Sequence, residues 1–351
     1  MSKEDSRFLK GIAILLLLFH HNPFNSVFGE VFQSGARVCV WIFAFVTAYG
    51  FSIQFKEKYE RKPFHFFFKR VVILYSLMWF YYLFNLVTEI ILYPQGILKY
   101  FSMSVINLPV DMLNVPSLFG KIEIASYWYV NFVIVIILFF PILYFIAKKT
   151  SWFSIPILVL FTQLCPYKMS FVHGGQLNYY LLIVLLGILF AQNNVFEHLA
   201  RFKNKMSWLV ITLGAVMLVP LLILRFVFLP QHESVWYLSI GPFSTAITVI
   251  IVMMVYLCRT ESIASKVIMK LGEHSGNIYF CQGFFFNILV HGLNINNRFI
   301  SFFSCLAYTL AISLLVEYIK KKTNYNYKVR SLFNTKTKIS GLLSGLKTSH
   351  F

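Results

Sequence analysis

Arg7-Phe8-Leu9-Lys10-Gly11-Ile12-Ala13-Ile14-Leu15-Leu16-Leu17-Leu18-Phe19-His20-His21 is the first membrane-sized apolar run of the chain, with a cation at its start and paired imidazoles at its end. Lys10 and His21 are eleven residues apart. A helix would separate them by roughly 16 Å along its axis and keep them within about 20° of one face. Such a helix could hold an anion at one membrane surface and perform proton chemistry deeper in the bilayer, because histidine titrates near neutrality. The plainer alternative is a basic flank whose lysine snorkels to the surface. Neighbouring helical residues point about 100° apart, so one imidazole is expected on the face of Lys10. The spacing selects His21 and leaves His20 as a neighbour or orienting group.

Composition sets this run in a larger pattern. Of 351 residues, 58% are hydrophobic and 13% charged, against roughly 45–50% and 25% in soluble domains. The expectation is an all-α polytopic membrane bundle of about ten transmembrane helices. They are read at 9–22, 36–55, 71–93, 126–147, 152–167, 178–192, 206–229, 237–258, 275–293 and 299–318. With both termini cytoplasmic, 25 of the 31 Lys and Arg fall in inward segments and only Lys99, Lys121, Lys168 and Arg298 in outward loops. That asymmetry is what membrane insertion selects, so the net charge of +18 is a topology signal before it is a sign of any anionic partner. The first run has no small-residue cleavage site after it and is read as a retained helix. Residues 1–320 then form one transmembrane domain, and 321–351 a basic cytoplasmic tail. Cys39, Cys165, Cys258, Cys281 and Cys305 lie in or beside apolar segments without metal spacing, so neither disulfides nor a metal site is expected.

Ionisable groups at membrane depth are functional candidates by default. Beside Lys10, His20 and His21 there is Arg37, near the outer end of the second span. It can bind an anionic acceptor, stabilise developing oxyanion charge, or snorkel. Arg225 falls within another predicted span. Thr47, Ala48 and Gly50 permit close helix approach. Lys69 and Arg70 open the third span, where they could face a cytoplasmic phosphate. Tyr127-Trp128-Tyr129 and Leu271-Gly272-Glu273-His274-Ser275 each lead into a helix. Aromatic residues there commonly form an interfacial belt, while Asn131, Asn277 and Gln282 lie deeper and need partners. Asn277 and Gln282 could contact a ligand or bridge helices. His173, His232 and His291 sit in outward loops, where they could touch a sugar. The chain contains no GxSxG elbow, Walker loop or HExxH.

In order and spacing these motifs resemble the acyltransferase-3 family of integral-membrane acyltransferases. Lys10-Gly11-Ile12-Ala13 followed by His21 is similar to the family's basic-residue-to-histidine opening, with Lys for the commoner Arg. Phe45-Val46-Thr47-Ala48-Tyr49-Gly50 resembles its Phe-Phe-x-x-Ser-Gly-Tyr element, with Thr and Ala where Ser and Gly are usual. Lys69-Arg70, Tyr127-Trp128-Tyr129 with Pro141, Leu186-Gly187-Ile188-Leu189, and Leu271-Gly272-x-x-Ser275 with Ile278-Tyr279 follow in family order. Gln282 stands where His is frequent, so a second catalytic imidazole is not expected there. The resemblance covers roughly residues 7–318. It implies acetyl-CoA as a cytoplasmic acyl donor, with Lys10, Lys69 and Arg70 binding it. His21, Lys10 and Arg37 would be catalytic, and His20, Trp128, Tyr129 and Gln282 would contact the acceptor. That acceptor would be a hydroxyl of a surface or lipid-linked glycan, at the inner membrane of a bacterium. No nucleic acid is expected among the partners. The competing expectation is a transporter or flippase of a lipid-linked saccharide, with Lys10 and Arg37 as its substrate cations.

Overall fold

The computed structural model describes residues 1–21, 35–92, 107–115, 127–165, 169–171, 175–225, 233–292, 297–329, 331 and 333. The described chain is helical apart from two paired two-residue strands, β1 (Ser170–Phe171) and β2 (Gly175–Gln176), which run antiparallel. In order the helices are α1 (Lys3–His20), α2 (Val38–Gln54), α3 (Pro63–Leu92), α4 (Asn107–Met112), α5 (Trp128–Thr150) and α6 (Ser154–Leu164). Then come α7 (Asn178–Gln192), α8 (Val195–Ile223), α9 (Glu233–Cys258), α10 (Ile263–Glu273), α11 (Ser275–Gly292) and α12 (Arg298–Lys322). Each of the ten segments read as a span falls on a helix. Among the described residues five helical stretches are long and apolar enough to cross a membrane, with Trp128–Thr162 taken as one. A sixth is added if α7 and the start of α8, bent by 64°, form one broken span. The bend follows Asn194 in the left-handed region at φ 51°, which asparagine tolerates better than most residues.

Two helices organise the bundle. α2 is buried along most of its length, including Trp41, Phe45 and Tyr49, and packs chiefly on α7. A Cβ added to Gly187 of α7 would come within 2.7 Å of the Phe45 carbonyl oxygen and 2.9 Å of the Ala48 Cβ, so small residues set this approach. Gly50, expected to serve the same purpose, has nothing within 4 Å of its would-be Cβ. It lies on a part of α2 that no neighbour approaches, and the close approach belongs to Ala48 and Gly187. Outside this core, Leu138, Phe139 and Ile142 of α5, Leu213, Val216 and Met217 of α8, and Phe299 and Phe303 of α12 are exposed. Apolar surface on this scale is what a lipid-facing helix presents and a soluble monomer avoids.

α1 packs mainly on α10, a helix within the segment 259–274 that the hydropathy pattern assigns to an inward loop. Hydropathy averages over both faces of an amphipathic helix and so misses it. The crossing is glycine on backbone. A Cβ on Gly11 would stand 2.0 Å from the Ile268 carbonyl oxygen, and one on Gly272 would stand 1.7 Å from that of Arg7. The start of α1 is fixed as well. Ser2 and Asp5 form a capping box, worth about 1 kcal/mol. Arg259, just before α10, donates to Asp5 Oδ1 at 2.7 Å and to Glu4 Oε2 at 3.0 Å. α3 begins at Pro63, eight residues ahead of the predicted span, with proline in the first helical turn where it costs no hydrogen bond.

Candidate functional site

The flank of α1 opens on a cavity of about 1050 Å³ whose wall includes Lys10, Leu17, His20 and His21. The eleven-residue spacing thus puts Lys10 and His21 roughly 16 Å apart on the wall of one cavity.

At the Lys10 end the wall is completed by Gly272, Glu273, Ser275 and Gly276, from the end of α10 and the start of α11. The glycine crossing of α1 on α10 holds these residues against Lys10. Glu273 accepts from Lys270 Nζ at 3.0 Å and lies 3.9 Å from Arg7 Nη2. The hydrogen bond from Lys270, aided by its charge and that of Arg7, holds the Glu273 carboxyl below its ordinary range. Arg70 sits behind this end, with its guanidinium over the rings of Phe51 (5.0 Å) and Phe66 (5.6 Å). Its charge acts on Lys10, and the ring faces favour a cation there. Neither Arg70 nor Lys69 is among the lining residues. Lys69 is half-buried, with its ammonium over the Tyr59 ring.

The opposite end is built from helix termini. His20 closes α1 and His21 is its cap, with the two rings 5.1 Å apart and Phe286 beside His21 at 6.1 Å. Both imidazoles line the cavity, where helical spacing allowed one. His21 keeps helical geometry with its N–H on the Leu17 carbonyl, so the two rings still diverge and the wall at this end takes in both. Arg37, at the N-cap of α2, is exposed, and it lines the same cavity with Val38, Trp41 and Thr47. Trp41 donates from Nε1 to the Tyr179 carbonyl at 3.2 Å, fixing its ring against Tyr180 at 4.5 Å.

Trp128 and Tyr129 also face the cavity. A polar knot holds their helix start in place. Asn85 donates to the Tyr127 hydroxyl at 2.7 Å, Asn114 to the Tyr127 carbonyl at 2.8 Å, and Asn131 to the Asn114 carbonyl at 2.9 Å. Buried amides at this depth are expected to be satisfied in this way. The Tyr129 hydroxyl is buried without a hydrogen bond of normal geometry, Thr47 being the polar side chain that acts on it.

Gln282 and Asn277 are buried but are not among the lining residues. Asn277 bridges helices, donating to Ser313 Oγ and to Glu317 Oε1 at 2.9 Å each. His274 joins the same network through Nδ1 and Ser313 Oγ, 2.7 Å apart. His173 and His232 lie outside the described residues, as does the side chain of His291. Among the described residues no three His, Cys, Asp or Glu side chains are grouped to hold a metal.

Arg225 carried no role in the sequence. It lies just past α8, buried at 6% exposure, donates from Nε to Ser244 Oγ of α9 at 3.2 Å, and lines the cavity beside Arg37. Its signal in the sequence was a lone cation within an apolar run. Only the packing of α8 on α9 and α7 gives that cation an address.

The sequence profile of a family described as an acyltransferase domain matches residues 5–318. No curated protein and no solved structure matches the chain.

Proposed function

The chain belongs to the acyltransferase-3 family, and from that premise we propose that it moves an acetyl group from cytoplasmic acetyl-CoA to a hydroxyl of a surface or lipid-linked glycan, at the inner membrane of a bacterium. The reading includes ten spans and cytoplasmic termini. The observation that carries it is the single cavity running along α1 from Lys10 to His21. Lys10 at its inner end, with the charge of Arg70 behind it, suits the phosphates of CoA, for which point charges and guanidinium forks are the usual partners. An extended pantetheine arm spans a distance comparable to the Lys10–His21 separation.

At the far end His21 takes the proton from the acceptor hydroxyl as that oxygen attacks the thioester carbonyl. It then returns the proton to the departing thiolate, so the transfer balances without another reactant. Arg37 stabilises the oxyanion or steadies the acceptor. Trp128 and Tyr129 offer faces on which a sugar ring can rest, and His20 stands beside the base. Lys69, displaced from the wall, would help only through its charge, and Gln282 would act through packing.

The test compares surface glycan from cells lacking the gene with glycan from cells complemented by wild type or by His21→Ala, read by mass spectrometry. Loss of one acetyl mass increment on deletion, restored by wild type and not by the variant, is the expected result. An unchanged repeat-unit mass with altered chain length would overturn the reading.

A further inference from the structure

The far end of the cavity carries a second guanidinium that acyl transfer to a neutral sugar would not require. Arg37 and Arg225 come from the start of α2 and the end of α8, 188 positions apart in the sequence, yet they lie close enough for the charge of Arg37 to act on Arg225. Both also act on the ring of Tyr180. Two guanidiniums in one cavity wall are the arrangement that takes an oxyanion by charge-assisted, bidentate hydrogen bonds. Among the described residues that line the cavity, the one carboxylate is Glu273, which sits with Gly272 at the Lys10 end. At the far end the remaining surface is aromatic: Trp41 and Trp128 flank Tyr180 at 4.5 and 6.4 Å between ring centroids.

We infer that this end is an acceptor subsite for a glycosyl unit bearing an oxyanion, held by Arg37 and Arg225 while its ring lies on the Trp41–Tyr180–Trp128 surface. A uronate carboxylate and a sugar phosphodiester share the chemistry that a pair of guanidiniums recognises. Ser244, bonded to Arg225 Nε, orients that guanidinium and is a positioning residue. The inference rests on the assignment of the far end to the acceptor, made above.

The experiment is calorimetric titration of the full chain in nanodiscs with three probes sharing one alkyl tail: hexyl β-glucoside, hexyl β-glucuronide and glucosyl hexyl phosphate. CoA is titrated separately. At least one anionic probe should bind about tenfold more tightly than the neutral one, a gap of about 1.4 kcal/mol, and the tighter of the two names the source of the anion. Arg225→Gln and Arg37→Gln should each bring the preference within about twofold, with CoA affinity unchanged, while Arg225→Lys should keep most of it. The lysine variant separates loss of charge from loss of fold. Equal binding of all three probes overturns the inference, as does loss of CoA affinity in Arg225→Gln, which would put the donor phosphates at this end. If wild type ignores CoA but keeps the anion preference, the acetyl-CoA reading falls and the anion subsite stands.

Discussion

At the Lys10 end of the cavity the flank of α1 is pressed, glycine on carbonyl, against the end of α10, with the cation of Arg70 behind it laid on two phenylalanine rings. At the His21 end the walls are helix termini, and their side chains reach the cavity from α1, α2, α7, α8 and α9. A flank buried against another backbone has few alternative positions, so the Lys10 end is rigid by construction. Termini carry backbone groups that are only half satisfied and side chains that can turn, so the His21 end can accommodate acceptors of differing shape. A donor common to many enzymes suits the first kind of wall, and a variable acceptor suits the second.

Three substitutions, ordered by expected effect, and one control test that contrast. His21→Ala should lower acetyl transfer by about 100- to 10,000-fold, the usual contribution of a positioned acid–base group, with little change in thermal midpoint because His21 is exposed beyond the helix. A variant that loses stability along with activity would make His21 a structural cap. Gly272→Ala should fall hard on folding. Its Cβ would meet the Arg7 carbonyl, which is backbone and cannot swing aside, and such overpacking costs about 1–3 kcal/mol. A lower midpoint and poor recovery of monodisperse protein are expected. Gly50→Ala, with open space around it, is the control and should be neutral or stabilising by about 0.5–1 kcal/mol. Arg70→Gln should raise KM for acetyl-CoA about threefold, because its charge acts at the Lys10 end from behind the wall, and leave KM for the acceptor alone. A change in acceptor KM would show that the two ends are not independent.

The smallest effect concerns pH. Burial pushes the His274 imidazole below its ordinary value, so the fold favours its neutral form. That contribution is present above the ordinary histidine pKa and is lost as pH falls through the lowered one. The thermal midpoint should therefore drop as pH falls below the ordinary histidine range. His274→Gln, which keeps a hydrogen-bonding group for Ser313, should flatten that part of the profile. An unchanged slope would assign the acid sensitivity to other groups.

The residues marked by the sequence that line the cavity share a property. Lys10, His20, His21, Arg37, Trp128 and Tyr129 lie in local patterns where polarity interrupts an apolar run, and a helix turns such spacing into geometry without outside help. Lys69, Arg70 and Gln282 show where this stops. All had the right neighbours in sequence, but Lys69 and Arg70 lie over aromatic rings and Gln282 is buried away from the wall. Helical phase within a bundle is set by the partners on each side, which one-dimensional spacing does not contain. α10 was missed because its apolar stripe is half a helix wide and its mean composition is that of a loop.

The sequence by itself determined that the chain is helical and built for lipid. It set the spacing of Lys10 and His21 along one helix. These follow from periodicity and side-chain size, which act over a few residues. Tertiary structure alone decided that Gly11 and Gly272 close on α10 and on α1, that both imidazoles share one wall, and that Arg225 joins Arg37. Those outcomes depend on which helix ends meet in space, a matter of packing between segments more than a hundred residues apart.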